Sequence, residues 1–153
     1  MNEKSFNIKF EAIELVSKSI SEPPNDLQGQ EGFTFNFLID LKAAPDQKRA
    51  IVLTEASIIR LNGMKELAKF KILCVFEVDN FDILFTEKTD QGVKKYESPV
   101  ELEVILKSAG LSTIRGIIAS EVKGTYLQGA VLPFVDVNTL VRDKRKEISE
   151  TKS

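Results

Sequence analysis

Residues 111–140, LSTIRGIIASEVKGTYLQGAVLPFVDVNTL, are the stretch of this 153-residue chain that says most about its fold. The first half places apolar residues at i, i+3, i+4 and i+8, which are Ile114, Ile117, Ile118 and Val122. These positions share one face of a helix, so the spacing predicts an amphipathic helix that ends near Gly124. The second half mixes glycine, proline and asparagine with apolar residues. It is predicted to be an apolar loop that lies on another part of the protein.

The chain before this stretch has the pattern of strands. Residues 33–42 alternate cleanly, with one apolar face made of Phe33, Phe35, Phe37, Ile39 and Leu41. Residues 5–21 are predicted to form a strand with one bulge, and residues 69–79 a strand with one apolar face. Residues 49–62 are apolar on both sides, which predicts a strand covered on both faces, although a helix in their second half stays open.

The segments after residue 79 are predicted to be helical or irregular, with one further region that is undecided. Residues 80–95 either extend the sheet or lie over it. Ser98-Pro99-Val100-Glu101 predicts a helix start with a capping box, and Gly110 is expected to interrupt that helix. The charge-dense residues from 141 onward are expected to be a frayed helix or a disordered tail. We therefore expect one α+β domain over residues 1–153, with an ordered core at about 5–142 and a charged tail at 143–153.

Composition favours a soluble globular protein, with 42% hydrophobic and 29% charged residues. The net charge of −2 argues against nucleic acid as the main partner, because phosphate binding needs a basic face. The sequence has neither a signal-peptide pattern nor an apolar run of about 20 residues, so no membrane insertion is expected. A single cysteine fits a reducing compartment, and a cytoplasmic location is the expectation.

The residue inventory also argues against an enzyme. The chain has no histidine, the commonest general base, and with one cysteine it cannot build a zinc site from cysteine and histidine. Glycine-rich phosphate loops are absent, and a Ser-Lys dyad stays open without further support. Cys74 alternates with Ile72 and Phe76, which predicts a buried thiol rather than a reactive one. No catalytic residue, metal or cofactor is predicted.

The C-terminal part resembles the SecB family of cytoplasmic export chaperones. The resemblance lies in a helix, a Lys123-Gly124-Thr125-Tyr126 turn, Leu132-Pro133 and a Val137-Asn138-Thr139-Leu140 close. Thr113-Ile114-Arg115-Gly116 stands where the family has a Tyr-Ala-Arg-Glu-like segment and keeps its arginine. Glu77-Val78-Asp79-Asn80 resembles the fragment that closes a middle strand of the family. The resemblance implies a four-stranded antiparallel sheet followed by two C-terminal helices packed on one face.

Two groups of residues are candidates for polypeptide binding. Phe33, Phe35 and Phe37 could line a groove, or could simply pack under the helices. The loop is more apolar than an exposed connection needs, and its candidates are Tyr126, Leu127, Val131, Leu132 and Phe134. The alternative is a loop docked on its own sheet. The resemblance supports the loop residues as groove walls.

The function implied by the resemblance is an ATP-independent chaperone that holds unfolded polypeptides, such as preproteins for export, in hydrophobic grooves. Glu77 would contact the translocation ATPase SecA, or is a plain solvated strand residue. The family assembles as a homotetramer, a dimer of dimers, which implies a helix interface made of Leu102, Ile105, Leu106, Ile114 and Ile118. The alternatives are a SecB-fold protein that binds one dedicated partner, such as an antitoxin, or a small ligand, and a scaffold protein with neither activity.

Overall fold

The computed structural model describes residues 5–27 and 32–152. Its elements in chain order are strands β1 (Ile8–Ile20), β2 (Phe33–Ala44), β3 (Arg49–Arg60) and β4 (Glu66–Val78), the short helix α1 (Phe81–Leu84), strands β5 (Thr86–Asp90) and β6 (Val93–Glu97), and helices α2 (Val100–Glu121) and α3 (Val137–Thr151). Single 3₁₀ turns at Pro45–Gln47 and Asn62–Met64 connect β2 to β3 and β3 to β4.

The first four strands form one antiparallel sheet in the order β1-β4-β3-β2, and the later helices pack on it. The α+β prediction, with strands first and helices last, is therefore confirmed. The last of these strands, β4, pairs with both β3 and β1. Consequently β1 and β2 lie at the two edges of this sheet.

The two faces of the sheet differ in burial. We call the face that carries Val52 and Cys74 the inner face; its residues on β3 and β4 are buried beneath α2. The opposite, outer face carries Leu53 and Leu73, which are half-buried. The expectation that β3 is covered on both sides holds in part: α2 packs on the inner face, and on the outer face Ser57 and Ile59 are buried whereas Leu53 is only half-buried.

Strand β1 slips register twice against β4, between Phe10 and Ala12 and again between Leu15 and Ser17. One bulge was expected from the sequence. The first irregularity keeps the apolar residues on the inner face, so that Ile13 lies opposite Cys74 and Leu15 opposite Ile72. The second places Lys18 and Ile20 on that face, opposite Phe70 and Ala68.

Helix α2 is one uninterrupted helix from Val100 to Glu121, so the expected break at Gly110 does not occur. Gly110 instead lets the helix approach β3, since a Cβ atom there would lie 2.8 Å from both Thr54 Oγ1 and Val52 Cγ1. The expected capping box is also wrong: Pro99 is the N-cap, and no side chain caps the helix.

Residues 81–97 neither extend the main sheet nor join it. They form α1 and a separate two-stranded hairpin of β5 and β6. Its turn residues Gln91 and Gly92 have φ values of 50° and 80°, as a tight hairpin turn requires.

The C-terminal residues are helical rather than a disordered tail. Asp136 caps α3 by accepting a hydrogen bond from the backbone N–H of Thr139 at 3.3 Å, and the helix continues to Thr151. Its two buried side chains, Val137 and Val141, are too few to predict a docked helix from sequence. None of the described helices is both long enough and apolar enough to cross a membrane.

Candidate functional site

The phenylalanines of β2 lie on the inner face, as their alternation predicts. Phe35 is opposite Ile58 and Phe37 opposite Ala56, and all three phenylalanines are half-buried against the core. They therefore serve partly as core and keep part of each ring accessible at the edge of the sheet.

Three of the predicted loop residues between α2 and α3 are docked on the protein. Leu127 and Leu132 are buried in the core, so in this structure they support the loop and present no surface to a ligand. Tyr126 is half-buried, and its hydroxyl donates a hydrogen bond to the backbone carbonyl of Ser21 at 2.9 Å. The alternative of a docked loop describes these residues.

Two of the predicted loop residues are open to solvent. Val131 is 71% exposed and Phe134 is 89% exposed. Arg115 of α2 holds the segment between Val131 and Phe134 by donating to the carbonyl of Pro133 at 2.8 Å. A fixed backbone thus presents a large apolar side chain three residues before α3 begins at Val137.

A groove runs between the edge strand β2 and α3. Its first part is a cavity of about 520 Å³ that carries apolar side chains from both elements, namely Phe37, Leu38, Ile39, Val137, Leu140 and Val141. We call the whole depression the β2–α3 groove. Its α3 wall was not predicted as a site, although the spacing of Val137, Leu140 and Val141 is a helical signal that could have shown it.

The second part of the groove is a cavity of about 580 Å³, which β6 and the C-terminal half of α3 border. Both parts share Lys107, Val141 and Lys144, so they are continuous. Half of the residues that line this second part are charged, and among them Glu103 is largely buried.

Glu103 joins α2 to α3. Its carboxylate accepts from Lys107 Nζ at 2.7 Å and from Arg145 Nε at 3.0 Å, while Arg145 also donates to the carbonyl of Ser98 at 2.9 Å. Burial alone would raise the pKa of Glu103, but the hydrogen bonds from Lys107 and Arg145 outweigh burial and hold the pKa below its ordinary value. Glu103 is therefore an ionised structural link at the groove.

Most of the residues expected at a subunit interface lie inside the chain's own core. Leu102, Leu106, Ile114 and Ile118 of α2 are buried against the sheet, whereas Ile105 faces outward and is exposed. An Ile118→Asp substitution would therefore disrupt the fold before it tested an interface.

The structure shows another uncovered apolar surface, which sequence reasoning missed. Phe10, Ile13 and Leu15 of β1 lie on the inner face and remain exposed; for Ile13 the exposed fraction is 52%. The helix that packs over the inner face lies mainly on β2, β3 and β4 and leaves these side chains exposed. Phe10 contacts Phe76 with ring centroids 4.5 Å apart and leaves its other side free.

Glu77 lies on the outer face, opposite Lys9 on one neighbouring strand and Arg49 on the other, and it is half-buried. Cys74 lies in the core, as predicted, and burial raises the pKa of its thiol. Residues 5–27 and 32–152 contain no cluster of acidic and cysteine side chains that could hold a metal ion.

No protein-family model matches the chain, and no curated protein matches it in sequence. Among solved structures, the chain is similar to a SecB-like chaperone of Mycobacterium tuberculosis in complex with a ChAD peptide from the HigA1 antitoxin. The two chains are 15% identical, with a TM-score of 0.54 over 84% of this chain and 91% of the other. The four-stranded antiparallel sheet and the C-terminal helices of this chain therefore form a SecB-like fold.

Proposed function

We propose that this protein is an ATP-independent chaperone that holds unfolded polypeptides on apolar surfaces. The observation that carries the proposal is the β2–α3 groove, whose first part presents apolar side chains of β2 and α3 beside an edge strand, with the exposed Phe134 and Val131 in the loop that leads into its α3 wall. The SecB-like fold supports the same function.

The groove offers two sources of binding free energy. Apolar side chains of a client that leave water against Phe37, Ile39 and Leu140 gain roughly 25 cal/mol per Å² of buried area. Within the described residues, β2 pairs with a strand on one side only, so an extended client could add backbone hydrogen bonds along the other. Neither source depends on the client's sequence in detail, which suits a holding chaperone.

We further propose that the protein works as a homo-oligomer, with the homotetramer, a dimer of dimers, as the expected assembly. The support is the exposed inner face of β1 at Phe10, Ile13 and Leu15, which a second copy would cover. Ile105 on the outward face of α2 is a further interface candidate. The other predicted interface residues hold α2 on the sheet and so support the interface indirectly; they are Leu102, Leu106, Ile114 and Ile118.

The experiment is light scattering from a chemically unfolded model protein that is diluted into buffer with and without this protein. We expect suppression of aggregation near one oligomer per client. A double variant, Val131→Ser with Phe134→Ser, removes exposed apolar area, so we expect roughly tenfold weaker protection. Ile83→Ser in α1 is the matched control, because Ile83 is also exposed and lies outside the groove. Equal loss in both variants would argue against the loop as the binding surface.

A second candidate function is the recognition of one dedicated partner. It is favoured by the structural neighbour, which was solved with a peptide from an antitoxin. The breadth of clients separates the two functions: a general chaperone protects several unrelated unfolded proteins, whereas a dedicated binder protects one or none. Protection that is confined to a single partner would replace the first proposal.

We also propose that the protein acts in protein export from the cytoplasm and contacts SecA through Glu77, on the outer face of the sheet. Titration of SecA with the protein and with Glu77→Lys tests it. Charge reversal on an accessible strand position should weaken an electrostatic contact and increase its salt dependence. Equal binding by both proteins would remove Glu77 from the proposal.

A further inference from the structure

The balance of charge in the β2–α3 groove changes along its length. Where β2 contributes Phe37 and Ile39, the α3 wall contributes Val137 and Leu140, and the charged residues of this part balance: two lysines lie beside two carboxylates, those of Asp143 and Glu147. Where β2 contributes Asp40, Leu41 and Ala43, the cavity is lined by five cationic side chains and three anionic ones; the cations are Lys95, Lys107, Lys144, Arg145 and Lys152.

The anions of this second part do not neutralise its cations. Two cations, Lys107 and Arg145, share the single carboxylate of Glu103. Lys144 forms no ion pair or hydrogen bond within the part of the chain that the structure describes. Glu97, at the edge of the cavity, is paired with Lys88, which lies outside it.

The cationic end of the groove is bordered by the β5–β6 hairpin. Asp90 at the hairpin turn forms ion pairs with Lys152, the C-cap residue of α3, at 3.2 Å and with Lys95 of β6 at 3.6 Å. Once more, two cations share one carboxylate. This contact ties the hairpin to α3, so that the hairpin forms a wall at this end of the groove.

We propose that the groove selects polypeptide segments in which an acidic side chain follows an apolar stretch, with the carboxylate bound at the cationic end and the apolar residues on the Phe37 side. This inference rests on the proposed function and adds client selectivity to it. Charge complementarity favours the carboxylate. Lys144 has no anionic partner among the residues that the structure describes, and Lys107 and Arg145 share the one carboxylate of Glu103. A lysine in the same place of the client would meet uncompensated positive charge.

The test uses three fluorescently labelled peptides with amidated C-termini and the same apolar stretch, which is followed by Glu, Gln or Lys. At low salt we expect the Glu peptide to bind roughly fivefold more tightly than the Gln peptide, and the Lys peptide to bind most weakly. The preference should shrink as salt rises, because the cavity is open to solvent.

Variants assign the preference to the groove. Lys144→Gln should remove most of the preference for Glu, measured as the ratio of the affinities for the Glu and Gln peptides. Lys146→Gln is the matched control, since it removes the same charge from the same helix at a position that does not line the groove. An equal loss of preference in both variants would overturn the proposal, because it would show a general effect of net charge.

A fourth peptide, the Gln peptide with a free C-terminal carboxylate, separates side-chain from terminal recognition. If it binds as tightly as the amidated Glu peptide, the groove reads chain ends and the proposal is wrong. Equal affinity for the Glu, Gln and Lys peptides overturns the selectivity and leaves the chaperone function standing. If no peptide binds but aggregation is still suppressed, clients bind elsewhere and the inference fails alone; if neither occurs, both proposals fail.

Discussion

At the scale of residues, Glu103 is where the start of α2 and the end of α3 meet. Its side chain is 15% exposed and that of Lys107 is 7% exposed, so the pair is shielded from the screening that weakens surface ion pairs. The carboxylate stabilises two cations at once, so its removal would leave both Lys107 and Arg145 without their shared anion.

We expect Glu103→Gln to lower the free energy of unfolding by roughly 2 kcal/mol, between the values for exposed and for fully buried ion pairs. The pKa of Glu103 in the folded state lies below its ordinary value of 4.5. Its stabilisation is therefore fully present above pH 4.5 and is lost as the pH falls through the folded-state pKa. Urea unfolding at several pH values should show the gap between wild type and variant closing below about pH 4.5. A gap that is constant down to pH 3 would mean that the charge of Glu103 does not stabilise the fold.

The candidate site was predictable in part at this scale. An apolar loop of this composition must hold both buried and exposed members, and sequence alone does not sort them. Leu127 and Leu132 lie in the core while Phe134, of similar hydrophobicity, points to solvent. The difference depends on which residues meet the end of the sheet, and this is a tertiary property.

At the scale of elements, α2 depends on how closely it can approach β3. Helical spacing identified its buried face at Ile114 and Ile118 correctly. Gly110 was expected to break the helix because glycine is a poor helix former, yet the gain from close packing on the sheet outweighs a propensity cost of about 1 kcal/mol.

A pair of glycines in α2 tests this packing. Gly110→Ala puts a Cβ atom 2.8 Å from two side chains of β3, and we expect a net loss of about 1–3 kcal/mol in the free energy of unfolding. Gly116→Ala has no neighbour within 4 Å and should gain up to about 1 kcal/mol from helix propensity. Chemical denaturation of both variants measures the two values. Stabilisation by Gly110→Ala would show that the helix can move away from the sheet without loss.

Helix α3 shows the limit of pattern reasoning for an element. Its residues are mostly charged and exposed, so they give little sign of a docked helix. What holds it are Val137, Val141 and the contacts of Arg145 with Glu103 and Ser98, 42 and 47 residues earlier in the chain. Such distant partners leave no local signal.

At the scale of the whole molecule, the inner face of the sheet is wider than the helix that covers it. The face continues onto β1, where Phe10, Ile13 and Leu15 remain exposed beside the free edge of the sheet. Exposed apolar side chains on an edge strand favour aggregation, and a second copy of the chain would cover them.

We therefore expect the native mass to be a multiple of the 17.1 kDa chain mass and Ile13→Asp to reduce it, since a buried unpaired carboxylate opposes association. Ala12→Asp is the matched control, because Ala12 is on the same strand and lies on the outer face, opposite Val75. Mass measurement by light scattering after size exclusion checks both. A wild-type protein that runs as a monomer would refute the proposed assembly.

By itself, the sequence determined the class of this fold, the inner faces of β2 and β4, the burial of Cys74 and the helical face of α2. These follow from alternation and helical spacing, which are local properties of the chain. Only the tertiary structure decided the register of β1, the docking of α3, the place of the β5–β6 hairpin and the groove that α3 forms with β2. Each of these depends on contacts between residues far apart in the chain, where the gain of one arrangement over another comes from packing and ion pairing that no local pattern encodes.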